Sequence, residues 1–425
     1  MLGWEFPPLF SGGLGVATYG MVKALRHNVD IKLIIPSYST SSSLPNVNIV
    51  GLNSIRAHEL DVEQLRFNLA DLTEVHRIPL SVSPYHFINE EIEKSRNKEE
   101  ATNLTSERTM EMIHQIFSDN NVYGYNVMHK VYLYTLLAGE IARNVDFDIV
   151  HAHDWITFSA GIKIKQTTGK PLVLHVHSLE TDRAGESTRN AIYQLEKDAL
   201  LAADRVCSVS QFTKDQIIKH YDIAPSKIDV IHNGIDPVET PRKSHELRDK
   251  LVVFLGRLTH QKGPEFLLET AEKVTKVYPR VKFVVAGTGD QFAHILETSA
   301  YRKLGSKFIF AGFLSKAKVD ELLSMADVYF MPSVSEPFGI TALEAAQHFV
   351  PTVLSSQSGA AEVMKASLKA DFWDTDKYAN YIYALLKYGT LKQQLSESAR
   401  AELDGLTWEH TAQKIFHVYE QLLTK

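Results

Sequence analysis

The sequence predicts an α/β protein built from two units of alternating strand and helix, and three observations carry that reading. The chain has 425 residues, more than a single hydrophobic core usually organises. Short apolar runs that suit strands, such as IKLII, PLVL and LVVFL, recur between segments with helical periodicity. The alternation also starts afresh after a polar, proline-containing stretch at 237–250, the best candidate for a linker. The expected division is 1–238 for the first unit, 239–405 for the second, and 406–425 for a closing helix.

Composition narrows the class. Apolar residues make up 44% and charged residues 23%, ordinary values for a soluble globular chain. A formal net charge of −6 gives no bulk attraction to nucleic acid or to an anionic membrane. Cys207 is the single cysteine, which excludes an intrachain disulfide and suits a reducing cytoplasm. No apolar run approaches the ~20 residues of a membrane span, and MLGWEFPPLF lacks the basic start of a signal peptide. A cytoplasmic protein with no integral membrane association is expected, and self-association is left open.

In chain order, Met1 to Phe6 reads as the end of a first strand. Gly12, Gly13 and Gly15 follow, with Leu14 between them, and open a helix through VATYGMVKALRH. Glycines between strand and helix let backbone approach a phosphate or a sugar closely. After strand IKLII, residues 48–144 read as insertions, the usual place for acceptor specificity, ending in a helix around VMHKVYLYTLLAGEIAR. HAHDW then ends a strand, and alternation sets His151 and His153 on one face. His175 and His177 repeat the spacing after PLVL. Two H-x-H strands suit a zinc or binuclear hydrolase site, although no comparable set of carboxylates completes one. Buried histidines satisfied by backbone are the plainer reading of His151 and His175. Residues 180–183 read as a loop lining a cleft, 190–203 as a helix, and Asn233-Gly234 as a tight turn.

In the second unit, Arg257 and Lys262 leave the end of strand LVVFL on a short basic loop suited to a diphosphate. Gly287 and Gly289 leave the next strand and could admit a nucleotide backbone. VYFMPS is a strand, Glu336-Pro337-Phe338-Gly339 a turn, and Ile340 the start of a helix. Such a strand–turn–helix aims N–H groups and a helix dipole at one point, a natural anion site. Glu336 and Glu344 sit beside that site, where phosphate would repel them, so they serve hydroxyl groups. Phosphate together with a polyhydroxylated ligand means a nucleotide sugar. Asp146-Phe147-Asp148 and Asp374-Thr375-Asp376 are D-x-D strings, but the second reads as a helix cap.

The E-x7-E spacing of Glu336 and Glu344 within EPFGITALEA resembles that of retaining glycosyltransferases with the GT-B fold (families 4 and 5), in the glycogen and starch synthase-like branch. WEFPPLFSGGLG, HAHDW, LHVHS, GRLTHQKG and GAAE resemble blocks of the same enzymes in the same order, so the resemblance spans essentially the whole chain. Many of those synthases carry a lysine just before the paired glycines, where this chain has Phe10 and Ser11.

The resemblance implies two Rossmann-like domains facing a cleft, with the last helix crossing back onto the first domain. It implies an acceptor side in the first domain and a donor side in the second. It assigns Glu336, Arg257, Lys262, His153 and His177 to the reacting centre. Gly13, Leu14, Asp154, Gly287, Gly289, Phe338, Gly339, Ile340 and Glu344 would bind the donor. The partners implied are an ADP- or UDP-linked sugar and a carbohydrate acceptor, with no further cofactor and no metal. Transfer of glucose to an α-glucan comes first. A family 4 hexosyltransferase acting on a cell-surface oligosaccharide or small acceptor is close behind. The paired-histidine hydrolase and a glucan-binding protein with a decayed site are the readings from other classes.

Overall fold

The structure is a computed structural model that describes residues 1–8, 12–39, 44–55, 60, 106–118, 123–124, 127–238 and 248–424. Most of the insertion-rich region, Phe10, Ser11 and much of the expected linker lie outside the described residues.

The first unit runs α1 (Gly13–Leu25), β1 (Ile31–Ile35), β2 (Val47–Gly51), α2 (Ser106–Ser118), α3 (Val127–Arg143), β3 (Val150–His153), α4 (Trp155–Thr168), β4 (Leu172–Val176), α5 (Glu180–Ala184), α6 (Ala191–Ala202), β5 (Arg205–Ser208), α7 (Gln211–Tyr221) and β6 (Ile228–Val230). Its strands pair in parallel as β1–β2 and β3–β4–β5–β6. Leu2 bridges Ile34 on one side and Ala152 on the other, so the chain start joins the two ladders into one sheet. The expected strand end over Met1 to Phe6 is thus reduced to isolated bridges, as at Leu2, and no strand forms there.

The second unit runs β7 (Lys250–Leu255), α8 (Pro264–Val277), β8 (Val281–Ala286), α9 (Phe292–Tyr301), β9 (Phe308–Gly312), α10 (Lys316–Met325), β10 (Val328–Met331), α11 (Ile340–Gln347), β11 (Thr352–Ser355), α12 (Ala360–Val363), β12 (Leu368–Ala370), α13 (Thr375–Lys387), α14 (Gly389–Glu402) and α15 (Trp408–Leu423). Its six strands lie in the order β12-β11-β10-β7-β8-β9, the doubly wound arrangement. Leu267, Leu268 and Ala271 of α8 pack on one face of this sheet, and Leu343, Ala345 and Ala346 of α11 on the other. Parallel strands covered on both faces are apolar throughout, which is why they read as continuous hydrophobic runs.

In both sheets the strand order reverses at one place, between Leu2 and β3 in the first and between β7 and β10 in the second. Ligands bind outside the carboxyl ends of strands at such reversals. The architecture is GT-B, as expected.

The closing helix α15 packs on the first unit. Ala412, Ile415 and Val418 join Ala17, Met21 and Val22 of α1 in one core. Burying each large apolar side chain there contributes roughly 1.5–3 kcal/mol. Gly20 allows the approach, since a Cβ at that position would stand 2.1 Å from Trp408 Cε2. Two local expectations change. Residues 180–184 form a short helix, α5, with Asp182 Oδ2 accepting from Leu179 N–H. Asn233-Gly234 is irregular chain with no turn assigned, followed by Ile235 donating to Leu406 O at 2.9 Å, and Gly234 lies against the backbone at the start of α15.

Candidate active site

Lys262 leaves the carboxyl end of β7 and Glu336 that of β10, so the strand reversal sets them side by side. Lys262 Nζ lies 2.5 Å from Glu336 Oε2, and Ser333 Oγ donates to the same oxygen at 3.2 Å. The Glu336 backbone is clamped as well: its N–H donates to Gln357 O and its carbonyl accepts from Gly359 N–H, both at 2.9 Å. The glutamate is held from both sides before any ligand arrives. Gly339, at φ +96, makes the left-handed turn that starts α11 at Ile340, and Phe338 beneath it is buried. Glu344 lies within α11, where its Oε1 accepts from Lys316 Nζ at 2.8 Å. Lys316 also reaches Asp320 at 3.0 Å, and against the pull of burial Glu344 and Asp320 raise its pKa. No pattern in the sequence announces that partner.

Gly287 and Gly289 meet protein backbone at close range. A Cβ on Gly287 would lie 1.8 Å from Gly256 O, and one on Gly289 would lie 2.3 Å from Leu258 O. Both glycines thus let the β8 loop nest against the loop that carries Arg257, a reason for glycine different from the one expected.

Across the cleft, Gly13 is exposed at the start of α1 and Leu14 is half-buried. A Cβ on Gly12 would stand 3.6 Å from Arg257 Nη2, so the glycine loop faces the basic loop of the other unit. Asp154 follows β3 at φ +58, a rare backbone conformation for a residue with a side chain. Its Oδ1 accepts from His177 N–H at 2.7 Å and Ser178 N–H at 3.1 Å, which fixes the loop after β4. Burial pushes the Asp154 carboxyl up to about 6, with Arg183 pulling the other way. Arg183 bonds Glu180, Glu196 and Ser178 at 2.9, 2.7 and 2.6 Å, and so braces the same loop from behind. The structure therefore makes Asp154 a loop anchor.

The four histidines form one stack. His151 and His153 lie 4.6 Å apart between ring centroids, as do His175 and His177. His153 is fully buried beneath His177, with 3.0 Å between its Nδ1 and His177 Nε2. In this arrangement His177 is the histidine nearer solvent and His153 positions it. Burial and the neighbouring rings hold all four neutral, with His177 pushed down to about 3. The expectation that backbone satisfies His151 and His175 fails. His151 Nδ1 meets Tyr419 OH of α15 at 2.5 Å, and His175 has no bonded partner for either ring nitrogen among the described residues.

Several contacts across the cleft carried no signal in the sequence. Ser335 Oγ donates to Asp182 Oδ1 at 2.5 Å, and Ser210 Oγ to Pro337 O at 2.6 Å. Glu362, present in the GAAE block, accepts from Gln211 N–H at 2.9 Å at the start of α7 and lies 3.1 Å from His232 Nε2. A carboxylate at a helix N-terminus is favourably placed. Asp374 caps α13 through Lys377 N–H at 3.0 Å, as the cap reading of that D-x-D string expected.

Comparison with known proteins agrees with this architecture. Residues 238–402 match the family model "Glycosyl transferases group 1", and residues 99–239 match "Glycosyltransferase Family 4". An uncharacterised glycosyltransferase of Methanocaldococcus jannaschii is 24% identical across 99% of this chain and 97% of its own. The alpha-maltose-1-phosphate synthase of Mycolicibacterium smegmatis is 30% identical over 64% of this chain and 79% of its own. Among solved structures, Anabaena HepE in complex with UDP and glucose superposes with a TM-score of 0.65 at 16% identity, covering 99% of this chain and 98% of that one.

Proposed function

The chain belongs to the glycosyltransferases of the family 4 kind, and on that premise we propose that it transfers a hexosyl group, glucosyl first, from ADP- or UDP-glucose to an α-glucan with retention of configuration. One observation carries the reading. The basic loop with Arg257 and Lys262 meets Glu336 at the strand reversal of the second unit, with Lys262 bonded directly to Glu336. A diphosphate fits the cations and a sugar hydroxyl fits the carboxylate, so donor and leaving group share one point.

In this reading Arg257 and Lys262 take up the negative charge that grows on the departing diphosphate. Glu336 holds sugar hydroxyls, and Glu344, released from Lys316, holds the ribose. Gly13 and Leu14 close over the diphosphate from the other unit, and His177, set by His153 and Asp154, meets the sugar. The candidate set contains no convincing covalent nucleophile, so the acceptor attacks on the same face as the leaving phosphate, which takes its proton. With cations already supplied by the protein, Mg²⁺ or Mn²⁺ is not required at the diphosphate.

The second reading is a hexosyltransferase for an oligosaccharide or small acceptor, favoured by the likeness to an enzyme named for making alpha-maltose 1-phosphate. A hydrolase centred on the histidines is disfavoured because His151, His153 and His175 are buried away from the cleft. Incubating the protein with a panel of nucleotide sugars, with and without glycogen or short maltooligosaccharides, separates these readings. Release of nucleoside diphosphate with elongation of the glucan is expected. Release that requires a small acceptor and leaves glucan unextended supports the second reading. Loss of sugar nucleotide from no member of the panel contradicts both.

A further inference from the structure

We infer that His151, His153 and His175 form a buried site for one late first-row transition-metal ion, with zinc the leading candidate. Strand register brings the three together. β3 and β4 are adjacent and parallel, with His153 paired to His175, and alternation sets His151 on the same face two residues back. One ring nitrogen from each of the three lies within 4.8 Å of the others, and none of the three side chains is more than 1% exposed.

The nitrogens are already sorted into used and unused. His151 Nδ1 meets Tyr419 OH at 2.5 Å and His153 Nδ1 meets His177 Nε2 at 3.0 Å. Their Nε2 atoms, and both nitrogens of His175, are buried with no hydrogen-bond partner among the described residues. Each such group costs about 1–3 kcal/mol when nothing answers it. Metal-bound histidine keeps one nitrogen on an outer partner and leaves the other for the ion, a division that His151 and His153 show and that His175, with both nitrogens unpartnered, leaves open. Three neutral imidazoles and no carboxylate favour zinc, nickel or copper over magnesium, manganese or calcium.

The rings stack within 20° of parallel. Tetrahedral ligation at a Zn–N distance of about 2.0–2.1 Å asks them to turn inward about their side-chain torsions. Cys207 is buried and paired with His175 across β4 and β5, but it lies outside the cluster of three ligand atoms and would have to move inward to take the fourth position.

Such an ion is out of reach of substrate. Through Tyr419 it would tie α15 to the sheet, and through His153 it would fix the orientation of His177. The ion would thus bear on the proposed transfer site only through His177, while metal content and melting are read without turnover.

The full chain, carrying no polyhistidine tag, is analysed for metal as isolated, then stripped and titrated with zinc and with cobalt. Expected are about one zinc per chain, a melting temperature that rises as zinc is restored, and the strong visible bands of tetrahedral cobalt. His175→Gln should lower metal retention by about tenfold or more. If that variant does not fold, the wild-type zinc titration and the cobalt spectrum decide alone. A stripped wild type that takes up no zinc and melts unchanged in its presence overturns the site. So does a folded His175→Gln variant that retains a full ion.

Discussion

Lys262 and Glu336 neutralise one another across the strand reversal, and so do Lys316 and Glu344 farther along α11. Each lysine must yield its carboxylate, wholly or in part, when hydroxyl groups arrive. The two pairs differ in the stage of the reaction at which they act. Glu344, if it holds only ribose, contributes equally to the bound donor and to the transition state. Glu344→Ala should therefore raise the KM for the nucleotide sugar while kcat stays within about threefold of wild type, read by steady-state kinetics. Because Arg257 and Lys262 already supply positive charge, adding Mg²⁺ or Mn²⁺ to dialysed enzyme should change initial rates by less than about twofold. A strict requirement for either ion would contradict the placement of those cations. Arg257, Lys262, Glu336 and Glu344 could be named as candidates because each follows a strand or lies in the helix after one, recognisable from its own neighbours. Lys316 and Arg183 could not, since their partners are brought to them by packing between separate elements.

Among the elements, α15 was readable from its helical periodicity, but the surface it covers was settled only by the fold. Its apolar face meets α1 because Gly20 leaves room for Trp408. Gly20→Ala places a methyl group inside that ring, so the helices must part. A loss of about 1–3 kcal/mol is expected, read as a lower unfolding midpoint in urea together with faster proteolysis of the last helix. Unchanged stability would mean that α15 does not rest on α1 in solution. The stack of histidines on β3 and β4 shows the opposite case. Their common face followed from a period of two, whereas their burial and the contact with Tyr419 depend on α15 returning from the far end of the chain. Sequence alternation reveals which side chains share a face and says nothing of what covers them.

For the whole molecule, the two units meet through Ser335 to Asp182, Ser210 to Pro337 and Glu362 to the start of α7, with Val209 packed into the core of the second unit. Hydrogen bonds of this kind contribute about 0.5–1.5 kcal/mol each, or more where a charge takes part, so the units can separate and close again. Small-angle scattering should show a smaller radius of gyration with nucleotide sugar bound than without it. An unchanged radius alongside proven binding would contradict that motion.

The central claim is that the basic loop of β7 stabilises the departing diphosphate more than the bound donor. Charge preorganised for a transition state is worth about 3–4 kcal/mol, by analogy with a single oxyanion donor. The direct test is steady-state kinetics of Lys262→Ala at saturating acceptor, with the donor that the nucleotide-sugar panel identifies. The expected result is kcat lowered roughly 100-fold or more, with a smaller change in the KM for donor. A raised KM with kcat at the wild-type value would make Lys262 a binding residue only, and would contradict the mechanism.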